Sequence, residues 1–402
     1  MHDITIKEDK MVFLINENKV SIKEVLLPNK LLACSFTVDD KFTFKSYSEL
    51  DDDNNEFYEY LGIKSASNAV HVGAASKKLA LNIIKYKDDI MFLDKLHKIL
   101  YFLGLSPIFK LKFRINNDMC NASGINWEEI NKSIEKKNKN KNEADRLIQD
   151  EDKNVYYDYL KKKEREYIAE RNSPNSSLIE INYEINSEEP LIDTLKEELE
   201  IVYILIKLKV LVAQGIEFKK KEFFRVELAS SGENHMLFEM INILSYVKEN
   251  SLILIDEPEI SLHPNWQYKY VELLNDIFNN SSCHFIIATH SHFIISDLKP
   301  DSSSILSLTY NDQGSIQTEL HDEKTYGWSA EDVLYNIFRM KTVRNHFIEQ
   351  DLRKVLGLIS AKSKEFSEIK RILVKLEKLS IKSEDPLNLI IDEIKEYLGE
   401  ND

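Results

Sequence analysis

The stretch Leu252-Ile-Leu-Ile-Asp-Glu-Pro-Glu259 decides how this chain is read. Four apolar residues in a row, with no polar alternation, describe a strand buried on both faces, as in a parallel sheet. Two adjacent carboxylates and a proline end it. In an open α/β sheet ligands bind at the carboxyl ends of the strands, so Asp256 and Glu257 stand where a ligand is met. A hard cation takes oxygen ligands, which suits Asp256 to Mg²⁺. Glu257, one residue on, is suited to orient or deprotonate an attacking water. A strand followed by an acidic turn is the plain structural reading of the same residues, and so short a motif does not decide between them alone.

The neighbouring sequence adds two further motifs in register. Leu228-Ala-Ser-Ser-Gly-Glu233 precedes a helical pattern (Met236, Leu237, Met240, Ile241, Leu244, Val247), and Gly232 lies 24 residues before Asp256. A small-residue turn at a helix start offers free backbone N–H groups and the positive end of the helix dipole, which together suit phosphate. Ser230 and Ser231 bring hydroxyls, Gly232 permits close approach, and Glu233 closes the motif; a simple serine N-cap is the competing reading. On the other side, Phe285-Ile-Ile-Ala-Thr-His-Ser-His292 gives a second buried strand ending in His290, 34 residues after Asp256. His290 is suited to a γ-phosphate contact, against the plain reading of a surface histidine. An amphipathic helix over 265–278 lies between, which completes a strand–helix–strand unit.

Composition limits the alternatives. The chain has 402 residues, 43% hydrophobic and 30% charged, as in an ordinary globular protein. No apolar run approaches the roughly 20 residues of a membrane span, and the N-terminus has no signal-peptide core. A net charge of −15 argues against generic adhesion to nucleic acid. Cys34, Cys120 and Cys283 have no metal-type spacing and read as thiols of a reducing cytosol. A cytoplasmic location is the expectation.

Four regions are expected. Residues 1–127 mix strands (Ile4–Ile6, Met11–Ile15, Leu31–Phe36) with helices (78–85, 89–103). Residues 128–177 form a charged helical insertion: Glu128 to Arg171 carry 12 acidic and 12 basic side chains with no Gly or Pro, which suits a solvated helical arm or a partly disordered loop. Asn172-Ser-Pro-Asn-Ser-Ser177 reads as a loop. Residues 178–320 hold the three motifs and a long apolar helix over Leu191–Val212. Residues 321–402 are helical, near 330–338, 347–358, 365–376 and 387–398. The clusters Lys161–Arg165 and Lys219–Lys221 read as solvated helix faces, with phosphate contact as the alternative.

In order and spacing these motifs resemble the C-terminal half of an ATP-binding-cassette ATPase. Ala229–Glu233 is similar to the signature motif, Leu252–Glu257 to Walker B with its catalytic glutamate, Ser261-Leu-His263 to the D-loop and His290 to the switch histidine. The resemblance implies an α/β P-loop NTPase fold of the cassette type and a head-to-tail dimer or higher homo-oligomer with ATP and Mg²⁺ at the interface. It also implies metal positioning by Asp256, catalysis by Glu257 and His290, and nucleotide contact by Ser230, Ser231, Gly232 and Glu233. The wording Asp256-Glu-Pro-Glu-Ile-Ser-Leu-His-Pro264 is nearer to SMC-like, OLD-like and antiphage (AAA_21-type) ATPases than to transporters. Leu31–Phe36, Asp40-Lys-Phe42, Tyr60-Leu-Gly-Ile63 and Thr325–Tyr335 resemble the ATPase subunit of Septu-type antiphage systems (PtuA-like). That family works with an HNH nuclease subunit, and some members accompany retrons, so an HNH nuclease and DNA or retron nucleic acid are the partners implied. An OLD-type nuclease is rejected, because residues 311–402 carry no Asp-x-Asp after an apolar strand.

One part is missing. No Gly-x-x-x-x-Gly-Lys-Ser/Thr loop occurs in these 402 residues, which contain only 10 glycines; Gly73–Lys78 reads as a helix start and Asn16-Glu-Asn18 lacks the glycines. Such a loop cradles phosphates with backbone amides and a lysine. Three readings therefore stay open: an ATPase whose loop lies upstream of Met1, a degenerate non-hydrolysing ATPase scaffold, or an SMC/RecF-like DNA-repair ATPase.

Overall fold

The computed structural model describes residues 2–7, 10–15, 18–20, 27–37, 40–43, 57–62, 64–66, 69–70, 72–121, 124–139, 147–149, 151–171, 179–279, 281–296, 298–299, 301–311, 313–321, 325–339, 346–379 and 387–399. The chain divides into two units, Met1–Ile294 and Ile295–Asp402. The first opens with an antiparallel sheet of β1 (His2–Lys7), β2 (Lys10–Ile15) and β3 (Asn18–Val20). Then come β4 (Lys30–Ser35), β5 (Tyr58–Tyr60), a short pair β6 (Lys64–Ala66) and β7 (Ala69–Val70), and helices α1 (Val72–Lys85) and α2 (Ile90–Phe102). Next are β8 (Ile108–Ile115), a second short pair β9 (Cys120–Asn121) and β10 (Gly124–Ile125), and helices α3 (Trp127–Asn138) and α4 (Lys153–Arg171). They are followed by β11 (Glu180–Asn186), α5 (Asp193–Lys207), β12 (Leu211–Lys219), β13 (Phe223–Arg225) and α6 (Ser231–Tyr246). The unit closes with β14 (Ser251–Asp256), α7 (Pro264–Tyr268), α8 (Tyr270–Phe278), β15 (His284–Ala288) and the short α9 (His292–Ile295), which reaches the unit boundary.

Two four-stranded sheets carry the core of this unit. One is parallel, in the order β15-β14-β4-β5, and holds both apolar runs as strands; burial on both faces is not found, since β14 buries alternate residues and no residue of β15 is buried. The other is antiparallel, in the order β11-β8-β12-β13. Along β8 every second residue is buried (Phe109, Leu111, Phe113, Ile115) and the alternates Lys110, Lys112 and Arg114 are half-buried, the period-two pattern of a sheet with one covered face. Helix α1 packs on β12, α5 and α6, and α2 packs on α6 and α8. Helix α6 has buried residues all round its axis, which is what a helix enclosed by neighbours on every side requires. At Gly215 β12 carries a bulge, with φ +139°; an added Cβ there would lie 2.5 Å from Ser76 Oγ, which accepts the Ile216 N–H. Glycine lets α1 sit directly on the strand.

Several expectations are corrected. The Leu191–Val212 run is not one helix: α5 ends at Lys207, Lys209 takes φ +59°, and Leu211 begins β12. The charged stretch is helical but not simply solvated. Ile130, Ile134, Ile148, Tyr159, Leu160 and Tyr167 are buried in the main apolar cluster, so α3 and α4 each bury one face and expose the charged one. Lys219–Lys221 stand at the turn between β12 and β13 rather than on a helix. The segments Asn16-Glu17 and Asn172–Ser177, and Ile63, lie outside the described residues.

Among its described residues the second unit contains a hairpin, β16 (Ile305–Tyr310) with β17 (Ile316–His321), and four helices, α10 (Ala330–Asn336), α11 (His346–Ser360), α12 (Phe366–Glu377) and α13 (Leu387–Gly399). The last three share a separate apolar cluster of Val355, Ile369, Ile372, Leu376, Leu387, Ile391, Ile394 and Leu398. No helix among the described residues is long and apolar enough to cross a membrane.

Candidate nucleotide site

The carboxyl ends of β4, β14 and β15 come level: Asp256 pairs with Ser35 on one side and with Ala288 on the other. The chain then turns sharply. Glu257 takes φ +49°, and its N–H donates to the Ala288 carbonyl at 2.9 Å. That turn leaves the Glu257 carboxylate partly exposed, with Oε1 3.8 Å from Nε2 of His290, whose side chain is 87% exposed. Left-handed backbone costs a non-glycine residue about 1–3 kcal/mol and persists where the surroundings impose it. Here the surroundings include Glu259, the acidic residue two positions on. Its Oε1 accepts the His290 backbone N–H at 2.6 Å and its Oε2 accepts the Thr289 hydroxyl at 2.7 Å. Gln267 adds a second brace, donating to the Leu262 carbonyl at 3.0 Å and accepting the Ser291 hydroxyl at 2.7 Å. The loops after β14 and β15 are thus joined by side-chain hydrogen bonds that hold Glu257 and His290 together.

Asp256 is half-buried at this edge. Burial pushes its carboxyl above the ordinary range, and the negative charges of Asp40 and Glu259 push it further, against His290. Asp40 is itself buried and accepts the Tyr60 hydroxyl at 2.8 Å. A carboxylate that is desolvated among other carboxylates suits a cation. No cluster of three or more His, Cys, Asp or Glu with metal-ligand geometry occurs among the described residues.

The sign of this shift makes a prediction. A carboxyl whose folded pKa lies above its unfolded value costs stability once the pH rises above the folded value. Asp256→Asn is expected to stabilise the chain at pH 7 by about half a kcal/mol, a small figure because solvent screens the site. The gain should vanish in acid below the ordinary carboxylate range near 4. Denaturant titrations at the two pH values check this; a loss of stability at pH 7 would mean that Asp256 makes a structural bond instead.

Ser230, Ser231, Gly232 and Glu233 form the start of α6. Ser230 is the N-cap: its Oγ accepts the Glu233 N–H at 3.3 Å, and the Glu233 carboxylate accepts the Ser230 N–H at 3.0 Å. The cap reading of Ser230 therefore holds whatever else it binds. Glu233 bonds inside this box and pairs with Lys220; burial raises its carboxyl, but Lys220 and Ser230 outweigh that and hold it low. Ser231 is exposed, and Gly232 is buried against the loop after β14: an added Cβ would stand 2.6 Å from the Ser261 carbonyl oxygen. His263 caps α7, its Nδ1 accepting the Asn265 N–H at 3.2 Å. The far side of β15 pairs with no strand among the described residues, and Ile286 in its middle is 51% exposed.

Residues 116–296, which include all of these motifs, match the family described as "AAA domain, putative AbiEii toxin, Type IV TA system". The fold is of the P-loop NTPase type, mixed α/β with a parallel sheet. P-loop ATPases in general use ATP with Mg²⁺. Protein ea59 of Escherichia phage lambda is 26% identical over 131 residues, which are 32% of this chain and 24% of that protein. The chain thus matches about a quarter of the length of that curated relative. A solved structure described under ATP-driven dimerization and DNA-stimulated activation of SMC ATPases is 17% identical, with a TM-score of 0.25, over 32% of this chain and 74% of its own.

Proposed function

We propose that this P-loop ATPase fold serves as the ATP-binding and hydrolysing subunit of an antiphage defence complex that assembles with and controls an HNH-type nuclease. The observation that carries the ATP half is the meeting of Asp256, Glu257 and His290 at one edge of a parallel sheet, with Oε1 of Glu257 3.8 Å from Nε2 of His290. In this reading Asp256 holds Mg²⁺, Glu257 takes the proton of an attacking water, and His290 contacts the γ-phosphate. Ser230, Ser231 and Gly232 meet the nucleotide of a second copy in a head-to-tail homo-oligomer. The phosphates also need a loop of backbone amides. The edge of β15 that pairs with no strand among the described residues suits a further parallel strand that ends in one. The nuclease half rests on the resemblance of Asp40–Phe42 and Thr325–Tyr335 to Septu-type subunits. It is supported by exposed apolar residues on the tail helices, Phe347, Val374 and Leu389, which suit a protein partner.

The absence of a Gly-x-x-x-x-Gly-Lys-Ser/Thr loop from the 402 residues favours a second reading, a scaffold that does not hydrolyse ATP. Calorimetry with ATP, with and without Mg²⁺, followed by a turnover assay on the same 402-residue chain, separates the two. Mg²⁺-dependent binding with turnover is the expected result; neither binding nor turnover would leave the scaffold. Co-expression with an HNH nuclease and a phage-plating assay then test the defence half.

A further inference from the structure

Helix α6 carries polar groups where the sheet leaves no water. His235 is 2% exposed and Glu239, one turn on, is 1% exposed. The His235 ring stacks on Phe36, with centroids 3.7 Å apart and planes 16° off parallel. Its Nδ1–H donates to the Ile260 carbonyl at 2.8 Å. A carbonyl only accepts, so that nitrogen must carry the proton. The other nitrogen, Nε2, faces Glu239 Oε2 at 3.5 Å. The buried Cys34 thiol of β4 and the buried Tyr270 hydroxyl of α8 also face this carboxylate. Buried polar groups of this kind are costly unless they are hydrogen-bonded.

What His235 reaches is the loop that follows the Asp256–Glu257 pair. That loop, 257–262, is held by two turn bonds, Ile260 N–H to Glu257 O at 3.2 Å and Leu262 N–H to Glu259 O at 3.0 Å. It carries left-handed backbone at Glu257 (φ +49°) and Ser261 (φ +66°). Gly232, three residues before His235 on the same helix, touches it at Ser261. Two points on α6, one turn from its exposed N-terminus, therefore grip one strained loop. We infer that His235 is a positioning residue that ties the start of α6 to the loop after β14 through its bond to the Ile260 carbonyl, so that contact at Ser230–Gly232 and the placement of Glu257 are set as one unit. Its consequence for turnover rests on the ATPase reading above; the tie itself does not.

Hydrogen exchange on the full chain without nucleotide tests the tie. In His235→Ala, peptides covering 257–263 should exchange about fivefold to tenfold faster, the effect of losing one net hydrogen bond, while β8 and the C-terminal half of α6 stay as in wild type. His235→Asn, whose amide nitrogen can stand where Nδ1 stood, should restore the slow exchange. Unchanged exchange in a folded His235→Ala overturns the inference, and so does an equal acceleration across the whole unit, which would mark a merely structural role. If His235→Ala does not fold, ¹⁵N spectra of histidine-labelled wild type, assigned with His235→Asn, decide: protonated Nδ1 is expected, and a bare Nδ1 overturns the tie. Where turnover is measurable, kcat should fall in His235→Ala with little change in KM. A chain that turns over no ATP yet shows the local exchange change keeps the tie and loses the ATPase reading.

Discussion

ATP turnover in Glu257→Gln is expected to fall by about three orders of magnitude, within the range for loss of a general base, while Mg²⁺-dependent ATP affinity holds. The amide keeps the size of the carboxylate and can keep its contact with His290, 3.8 Å away, so ground-state binding has no reason to change. What disappears is the group that takes the water proton, and a loss confined to kcat is the mark of a contribution made only in the transition state. The backbone gives no reason for a structural side effect: the turn at φ +49° is held by the Glu257 N–H bond to Ala288 and by the Glu259 bonds to Thr289 and His290, none of which uses the Glu257 side chain. Asp256→Asn separates from it by losing Mg²⁺-dependent affinity itself. Near-normal turnover in Glu257→Gln would mean that the proton goes elsewhere. Single-turnover and steady-state rates, with calorimetry on both variants, measure these effects.

The residues in that prediction were legible before the fold because their chemistry is written locally. Leu252–Ile255 and Phe285–Ala288 are unbroken apolar runs, and both make parallel strands here, although only Ile253 and Ile255 of the two runs are buried and Ile286 is exposed. The carboxylates and the histidine follow them directly. The antiparallel sheet was less visible. The alternation in Ile108–Ile115 hides among lysines and an arginine whose stems lie along the sheet. From Ile201 to Val212 the sequence stays largely apolar through a helix end and a strand start. Lys209 adopts the left-handed position that a glycine usually marks, so nothing punctuates the change. The braces around the site were invisible for another reason. Glu259, Gln267 and His235 act across 31, 24 and 25 residues of sequence, and such pairings exist only once the sheet has formed. The apolar pattern of α6 (Met236, Leu237, Met240, Ile241, Leu244) marks a helix, but the helix is buried on all sides, so the burial of its His235 and Glu239 appears only in the structure.

The two units should part in a core experiment, and this is the other large effect expected. Phe113 is fully buried in the antiparallel sheet, paired in register with Ile181 on one side and Ala213 on the other, with the Tyr183 ring 6.5 Å away. Cutting it to alanine should cost about 3–5 kcal/mol, the usual loss for a buried phenylalanine, and lower the melting of the first unit by roughly 10 °C. The helices α11 to α13 have a cluster of their own, built on eight buried side chains, Ile372 among them. A core that small has little reserve, so Ile372→Ala, at about 2–4 kcal/mol, should unravel the bundle outright. Differential scanning calorimetry with limited proteolysis reads both: Phe113→Ala moves the large transition and leaves the tail resistant, whereas Ile372→Ala exposes the tail to protease and leaves ATP binding intact. Loss of ATP binding in Ile372→Ala would show that the tail is needed for the nucleotide site. Intact binding, combined with loss of the nuclease from the co-expressed complex, would place partner recognition on the bundle and nucleotide chemistry on the sheet edge, because one substitution would have removed one function without the other.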